Sequence, residues 1–349
     1  MAVTRRDVIE IGIAGVLVAA AGSAHFTDAT PVLTFVVAAL AIAMLARLVG
    51  TSTEQLGSRV GSSAAGAIQS ALGNLPELFI ALFALRQGLT LVVQSALVGS
   101  VIANSVLVLG LAFIVGGLRN GRQTFDSPRA RLIATLTVLA AAILSVPTLS
   151  HAVQTTAAAS HEKSLSLICA GVLIALFFLT LPALLAVRDT FEAEPPRWSL
   201  PITVVVLGGA GVAAALVSDW FVTALKPATE ALGMSEVFAG LIVVAIAGNA
   251  VENVVGVQLA ARNRPDFAIS VIINSALQVA LLLTPILVFA SLFFGTQLTL
   301  VFPTLLAISL LLSAWIMAVV VYDGDSTWEE GAILVGFYVV VAASFWWGA

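Results

Sequence analysis

The sequence predicts an all-α integral membrane protein with eleven transmembrane helices. Of its 349 residues, 60% are hydrophobic and only 10% are charged, and the mean hydropathy is +1.09, values far from those of soluble globular proteins. Apolar runs of about 20 residues, the length of a helix that crosses a hydrocarbon core of about 30 Å, recur along the chain. The runs are continuously apolar rather than alternating, which favours a helical bundle over an outer-membrane barrel.

Charged and turn-forming residues separate the eleven apolar runs from one another. The runs lie near residues 8–24, 31–48, 60–86, 89–116, 130–149, 164–187, 200–218, 236–261, 267–294, 299–321 and 328–348. Arg5 and Arg6 precede the first run, and its last four residues, 21–24, are small. A cleaved signal peptide is therefore the alternative interpretation of that run.

The distribution of basic residues supports this count and predicts an orientation, because Lys and Arg accumulate in short cytoplasmic loops. With eleven spans, twelve of the fifteen basic residues fall on the side of the N-terminus. They are Arg5, Arg6, Arg47, Arg59, Arg119, Arg122, Arg129, Arg131, Arg188, Arg197, Arg262 and Arg264. The other side receives Arg86, Lys163 and Lys226. We expect the cell membrane as the location, with the N-terminus cytoplasmic and the C-terminus outside.

A polar segment from Asp323 to Thr327 precedes the last run and is followed by Glu329 and Glu330. A calcium loop is one interpretation, but the spacing of an EF-hand is absent. We expect instead a polar turn followed by a capping box. In it, Ser326 or Thr327 bonds an amide three residues on, and one of the two glutamates bonds back.

Two stretches that contain several small residues, 57–66 and 208–211, predict close contact between helices. Tight static packing is one interpretation of such surfaces. Sliding of one helix past another is the alternative.

Two glutamates, Glu77 and Glu252, lie in repeated surroundings. The segments Gly73-Asn74-Leu75-Pro76-Glu77 and Gly248-Asn249-Ala250-Val251-Glu252 are 175 residues apart, and the same offset relates Ser95 to Ser270 and Ser100 to Ser275. The copies fall in the third and eighth spans, so they are predicted to run through the bilayer in opposite directions. Such an inverted repeat is typical of secondary transporters, which bind their substrate near the midplane where the halves meet.

Both glutamates are expected to be functional, because an acid inside a membrane is energetically unfavourable. They are the only two of the nineteen acids that lie deep in apolar runs, and an acid at a helix centre costs about 2.5–3.5 kcal/mol. A buried ion pair is one alternative, although no Lys or Arg lies mid-span to form it. A pair of permanently protonated packing groups is the other.

The residues around the glutamates offer oxygen ligands. Gly73 and Gly248 weaken their helices, and Pro76 removes an amide and displaces a carbonyl, so backbone oxygens could face a cation. Side-chain oxygens come from Asn74, Asn249, Ser100, Asn104, Ser275 and Gln278. Each of these could alternatively form a hydrogen bond between helices.

Soft ligands are remote from the two glutamates in the sequence. Cys169 lies in another run, and His25, His151 and His161 lie in or beside loops. A site made of oxygens fits a hard cation, and Ca²⁺ fits better than Mg²⁺ because Ca²⁺ accepts six to eight oxygens in a flexible cage.

The chain resembles the cation/proton exchangers, the Ca²⁺/H⁺ antiporters of the calcium/cation antiporter superfamily. The first conserved repeat of that family resembles residues 73–89, GNLPELFIALFALRQGL, and 95–117, SALVGSVIANSVLVLGLAFIVGG. The second repeat resembles residues 243–289, VVAIAGNAVENVVGVQLAARNRPDFAISVIINSALQVALLLTPILVF. The Asp-Gly-Asp-Ser turn at 323–326 is also similar.

This resemblance implies one N-terminal helix followed by two inverted five-helix repeats. The implied domains are an N-terminal helix at 1–28, a first repeat at 29–190, a short acidic and proline-containing linker at 191–199, and a second repeat at 200–349. It also implies that Glu77 and Glu252 bind Ca²⁺ and protons alternately. Backbone carbonyls near Gly73 and Gly248 would complete the site.

Three positions depart from the family pattern. Asn253 stands where the family has a histidine, and Asn274 stands where the second repeat has a glycine. Leu75-Pro76 replaces a small pair and is more similar to the sodium/calcium exchanger branch. The expected function is Ca²⁺/H⁺ exchange by alternating access, and the alternative is a Na⁺/H⁺ or Na⁺/Ca²⁺ exchanger on the same scaffold.

Other classes of function fit the sequence less well. Fifteen basic residues against nineteen acidic ones, with no basic block, give no support for nucleic-acid binding. An intramembrane hydrolase would need a catalytic aspartate pair, a serine-based site or a HExxH motif, and we identify none of these in the sequence. Neither an enzyme nor a cofactor is therefore expected. A passive channel remains an alternative. The expected partners are Ca²⁺ or another hard cation, protons and membrane lipid, and a homo-oligomer is left open.

Overall fold

The computed structural model describes residues 3–27, 29–59, 72–153, 160–186 and 196–347. The first helices are α1 (Arg5–Phe26), α2 (Pro31–Gly57) and α3 (Leu75–Arg86). They are followed by α4 (Thr90–Ile102), a π-helical segment (Ala103–Val108), α5 (Leu109–Asn120), β1 (Gln123–Thr124), α6 (Ser127–Val153) and α7 (Glu162–Ala186).

The C-terminal elements begin with α8 (Leu200–Leu232). They continue with α9 (Glu236–Phe238), a π-helical segment (Ala239–Val244), α10 (Ala245–Gly248), α11 (Ala250–Ala261), α12 (Pro265–Gln278), a π-helical segment (Val279–Leu283), α13 (Thr284–Ala290) and a 3₁₀ turn (Ser291–Phe293). The last elements are α14 (Thr304–Val320), β2 (Asp325–Ser326) and α15 (Trp328–Phe345).

Within the described residues, eight helices are long and apolar enough to cross a membrane. A ninth span results if Glu236–Gly248 and Glu252–Ala261, which meet at a bend of 63°, are counted as one. Two predicted runs fall outside this count: 299–321 corresponds to α14, which has 17 residues, and 60–86 is described only from residue 72. The chain is therefore a helical, multi-span membrane protein, and the count of eleven stays a prediction.

The helix predicted at 299–321 starts later than expected, directly after Pro303. The residues before it are not helical, and the Gln94 side chain donates to the carbonyls of Thr299 and Val301 at 2.8 and 3.0 Å. Non-helical backbone is tolerated at membrane depth where protein groups satisfy its hydrogen bonds. The side chain of Gln94 supplies two of the hydrogen bonds that this segment needs.

A short β-ladder, which the sequence did not predict, precedes the last helix. β1 pairs antiparallel with β2, with Gln123 opposite Ser326 and Thr124 opposite Asp325. The exposed pair of Arg122 with Asp325 lies beside this ladder.

The capping box predicted before the last helix is confirmed at Thr327 and Glu330. Thr327 is the N-cap of α15, and its hydroxyl accepts the amide of Glu330 at 3.3 Å. The Glu330 carboxylate accepts the amide of Thr327 at 2.9 Å. The other candidate cap, Ser326, belongs to β2 instead.

The chain forms two compact units. The first comprises Met1–Phe83, Ala175–Gly233 and Ala247–Val251, and the second comprises Ala84–Ile174, Met234–Ile246 and Glu252–Ala349. In the first unit, α2 packs along α8 and α1 packs along α2. Phe35 of α2 stacks on Phe221 of α8 with ring centroids 4.8 Å apart.

The second half of the predicted linker is packed against the first unit. Residues 191–195 lie outside the described residues, but Trp198 is only 1% exposed and its indole donates to Asp7 at 3.1 Å. The side-chain oxygen of Gln55 accepts the amides of Arg197 and Trp198 at 2.7 and 3.1 Å. These bonds tie the start of α8 to α1 and α2.

The stretch at 208–211 contains one buried residue, Ala210, and three glycines without a close neighbour among the described residues. A Cβ at Gly208, Gly209 or Gly211 would meet no heavy atom of the described residues within 4 Å. The other stretch, 57–66, lies mostly outside the described residues. Close backbone contact occurs elsewhere, for example where a Cβ at Gly110 would lie 2.8 Å from the carbonyl oxygen of Gly331.

Candidate functional site

Both candidate glutamates lie in the first turn of a helix that begins directly after a non-helical turn. α3 begins at Leu75 after a turn at Gly73 and Asn74, so Glu77 is its third residue. α10 ends at Gly248, Asn249 interrupts the helix, and α11 begins at Ala250, so Glu252 is again the third residue. The helices are therefore broken where glycine was expected to weaken them.

Element boundaries in this region repeat with the offset seen in the sequence. α3 and α11 begin at residues 75 and 250 and end at residues 86 and 261. α4 and α12 begin at residues 90 and 265, and π-helical segments follow at 103–108 and 279–283. These pairs of helix boundaries are all 175 residues apart, and the ends of the π-helical segments agree with that offset too. Because π-helical turns are rare and frequently lie at functional sites, their repetition marks this region.

Glu77 is buried in the first unit, beside Gly248 and Asn249. Only 6% of Glu77 and 1% of Asn249 is exposed, and the Asn249 side-chain amide donates to Glu77 Oε1. A Cβ at Gly248 would lie 3.1 Å from Glu77 Oε1 and 3.2 Å from Cδ. The absence of a side chain at Gly248 therefore allows the backbone to approach the carboxyl group.

Asn74 occupies the position directly before α3 and is 8% exposed. Its carbonyl accepts the amide of Leu78 at 3.0 Å, which is the first hydrogen bond of the helix. Asparagine is among the preferred residues at this position. Gly73, next to it, is half-buried in the same turn.

A second polar cluster lies in the second unit around Asn104, which is fully buried in the first π-helical segment. Its side-chain amide donates to the carbonyl of Ser100 at 3.0 Å and to the hydroxyl of Ser275 at 3.3 Å. Ser100 and Ser275 are 3% and 4% exposed. Asn104 thus links α4 to α12 through two buried bonds.

The ten predicted site residues divide equally between the two units. The first unit contains Gly73, Asn74, Glu77, Gly248 and Asn249, and the second contains Ser100, Asn104, Glu252, Ser275 and Gln278. Glu252 and Gln278 are half-buried. The structure brings Glu77 together with Gly248 and Asn249, and it brings Asn104 together with Ser100 and Ser275.

The sequence does not predict a close helix crossing that the second unit forms directly before Ser100. A Cβ at Gly99 would lie 2.7 Å from the Cα of Leu241, and one at Gly240 would lie 2.6 Å from the carbonyl of Val92. Glycine at both positions lets α4 and the segment Ala239–Val244 meet backbone to backbone. The available signal was Gly99 itself, whose counterpart at the 175-residue offset is Asn274.

A second missed signal is the spacing of Asn and Glu. Asn74 and Glu77, like Asn249 and Glu252, are three residues apart. A capping residue followed three residues later by an acid is a known mark of a helix N-terminus. This pattern gives the start of both α3 and α11.

Comparison with known proteins identifies relatives over almost the whole chain. The family model described as "Sodium/calcium exchanger protein" matches residues 30–186 and 202–347. The Ca²⁺/H⁺ antiporter ChaA of Bacillus subtilis (strain 168) is 34% identical over 321 residues, which are 89% of this chain and 91% of the relative. The Ca²⁺/H⁺ antiporter of Synechocystis sp. (strain ATCC 27184 / PCC 6803 / Kazusa) is 32% identical over 351 residues, 93% of each chain.

The solved structure of native YfkE has a similar fold. It is 31% identical to this chain, with a TM-score of 0.84, and the match covers 97% of this chain and 99% of YfkE. The resemblance to the cation/proton exchangers that the two motifs indicated is thereby confirmed.

Proposed function

The chain belongs to the sodium/calcium exchanger family, and from that premise we propose that it exchanges Ca²⁺ for H⁺ across the membrane. Two relatives that are more than 30% identical over about nine-tenths of the chain are Ca²⁺/H⁺ antiporters. The observation that carries the proposal is the buried Glu77 carboxyl group, held by the amide of Asn249. We propose that Glu77 and Glu252 together bind the transported ions.

The chemistry of the candidate residues favours a hard cation. Glu77, Glu252 and the neighbouring amides and hydroxyls offer oxygen, the ligand that Ca²⁺ prefers. Asn249 donates through its nitrogen, and Glu77 can accept this bond as a carboxylate or as a protonated carboxyl. The bond therefore keeps the group in place whether a cation or a proton occupies it.

Charge balance couples the two ions. Two carboxylates without a counter-ion are too unfavourable in a low-dielectric barrier to move across it, so the transporter rearranges only when a divalent cation or protons neutralise them. Because Asn253 replaces the family histidine, proton binding rests on the two glutamates alone. Alternating access would expose this site to each side in turn.

The architecture that we propose is one N-terminal helix followed by two inverted five-helix repeats, eleven spans in all. The helix boundaries that recur at an offset of 175 residues support the duplication. With an odd number of spans and the basic residues counted above, the N-terminus is cytoplasmic and the C-terminus is outside. The cell membrane is the proposed location.

The decisive experiment uses purified protein in proteoliposomes with a pH gradient and no sodium. Calcium uptake driven by the gradient, with proton movement in return, supports the proposal. An absolute requirement for sodium would instead favour the Na⁺/H⁺ or Na⁺/Ca²⁺ exchanger. Pro76 and Asn253 are the sequence features that favour this alternative. Downhill calcium flux without proton movement would identify a channel.

Two variants test the assignment of the glutamates. Glu77→Gln and Glu252→Gln are each expected to abolish exchange, because a neutral amide cannot alternate between a cation and a proton. The amide introduced by Glu77→Gln keeps an oxygen that can accept the Asn249 bond, so folding is expected to survive. Glu329→Gln, at an exposed glutamate in the first turn of α15, is the matched control with normal exchange. Full calcium-driven proton release in either site variant would contradict the assignment.

A further inference from the structure

A groove of about 640 Å³ lies in the first unit, between the N-terminal part of α1 and α2. Its charged lining consists of Arg5, Arg6 and Glu10 of α1 and Arg47 of α2. Three cations face one anion, so the groove carries a net positive charge. The groove is remote in the sequence from the candidate ion-binding residues.

The single acid in the groove does not neutralise it. Glu10 accepts from Arg6 at 3.0 Å and from Arg47 at 2.8 Å, and it is 14% exposed. The arginines remain more accessible: Arg6 is 67% exposed and Arg47 is 33% exposed, and Arg5 is exposed as well. Guanidinium groups with several donors are suited to bind a phosphate, which accepts several hydrogen bonds at once.

The rest of the lining is apolar and belongs to the same faces of the two helices. Ile9 and Ile13 are 50% and 46% exposed, and they follow Arg6 at helical spacing of three and seven residues. Met44 precedes Arg47 by three residues on α2 and also lines the groove. With a rise of about 1.5 Å per residue, Ile13 lies roughly 10 Å along the axis from Arg6.

We propose that this groove binds an anionic phospholipid, with its phosphate between the arginines and an acyl chain along Ile9 and Ile13. A length of about 10 Å is comparable to the depth of the boundary between headgroups and acyl chains. The orientation predicted from the basic residues puts Arg5, Arg6 and Arg47 at the cytoplasmic surface, where clusters of basic residues attract anionic lipid. A free phosphate ion has no apolar part that could contact the isoleucines of the groove.

Lipid retention by the full-length protein measures this binding. Protein purified in detergent is titrated with phosphatidylglycerol or with phosphatidylcholine of the same acyl chains, and bound lipid is counted by native mass spectrometry. We expect selective retention of phosphatidylglycerol. Arg5→Gln/Arg47→Gln should weaken it roughly 25-fold, since the attraction of each arginine to an anionic surface corresponds to roughly a fivefold change in affinity.

Matched variants make the result specific. Arg119→Gln/Arg262→Gln removes the same charge from two exposed arginines predicted on the same side of the membrane, and we expect it to leave retention unchanged. Glu10→Gln removes the competing acid, and we expect roughly fivefold tighter binding. If the double variant does not fold, Arg5→Gln alone and Glu10→Gln still test the charge dependence in both directions.

Two further results separate lipid from a free anion. Ile9→Asn/Ile13→Asn should weaken retention of phosphatidylglycerol, and inorganic phosphate at millimolar concentration should not displace the lipid. Retention that is equal in the wild type and in Arg5→Gln/Arg47→Gln, or displacement by inorganic phosphate alone, would overturn the proposal. Detection of a dimer of the chain instead of a protein with bound lipid would also overturn it. The assay requires no transport, so its outcome is independent of the proposed exchange.

Discussion

The approach of the Gly248 backbone to Glu77 predicts that a single methyl group will impair ion binding. In Gly248→Ala, the new Cβ would lie 3.1 Å from Glu77 Oε1 and 3.2 Å from Cδ, and nearer still to Cγ. Ordinary contacts between such atoms begin near 3.5 Å, so the glutamate side chain must move. Gly248 is not among the residues with positive φ, so alanine introduces no backbone strain and the perturbation is steric.

The magnitude follows from the cost of overpacking, which is about 1–3 kcal/mol in a well-packed interior. If the bound state bears this cost, the apparent affinity for calcium falls by about 5-fold to about 140-fold, since every 1.4 kcal/mol is a factor of ten. The measurement is the calcium dependence of uptake into proteoliposomes under a fixed pH gradient. Thermal unfolding in detergent shows whether the variant remains folded.

Gly209→Ala is the matched control for this variant. A Cβ at Gly209 meets no heavy atom of the described residues within 4 Å, and alanine inside a helix is favoured over glycine by about 0.5–1 kcal/mol. We expect unchanged calcium affinity and slightly higher stability. If Gly248→Ala binds calcium as tightly as Gly209→Ala does, the packing of Gly248 against the carboxyl group has no role in binding.

Three further predictions concern stability and pH. Asn104→Ala removes the donor of two buried bonds and should lower the free energy of unfolding by about 1–3 kcal/mol, whereas Ser105→Ala should be nearly neutral, because its buried hydroxyl has no partner in the described part of the chain; thermal unfolding distinguishes them. Thr327→Ala should cost about 1 kcal/mol through loss of the N-cap, and Ser326→Ala should cost less. Asn253→His adds a group with an ordinary pKa near 6.5, so calcium uptake should vary more steeply around pH 6–7; an unchanged profile would contradict a role for that position in proton coupling.

The parts of the site that could be predicted are those that depend on residues adjacent to one another in the sequence. Glycine weakens a helix in any tertiary context, and a non-helical turn lies at Gly73 and directly after Gly248. The spacing of Asn and Glu is also local and marks where α3 and α11 begin, although it was not used in the prediction. The repeated motif and the energetic cost of an acid in an apolar run identified both glutamates, and the structure shows Glu77 buried and Glu252 half-buried.

The parts that the sequence did not predict depend on residues far apart in the chain. The pairing of β1 with β2 joins residues about 200 positions apart, and neither strand has a pattern of its own because each has two residues. The close crossing of Gly99 with Leu241 likewise requires knowledge of which helices meet. The stretch at 208–211 illustrates the same limit, since Ala210 is buried whereas its three glycines meet no close neighbour among the described residues.

The breaks before the two glutamates have a physical consequence beyond local flexibility. Each acid is the third residue of a helix of 12 residues. The amides of a first helical turn have no intrahelical acceptor, and together with the helix dipole they favour negative charge by about 0.3–1 kcal/mol, and up to ~2 kcal/mol where partly buried. An unbroken helix would offer none of this at its centre, where an acid costs about 2.5–3.5 kcal/mol. The break therefore offsets part of the cost but not all of it. A residual penalty of about 0.5–3 kcal/mol therefore remains. In the proposed mechanism a proton or a cation removes this penalty, and a carboxyl group that the protein stabilised completely would gain nothing from binding either ion.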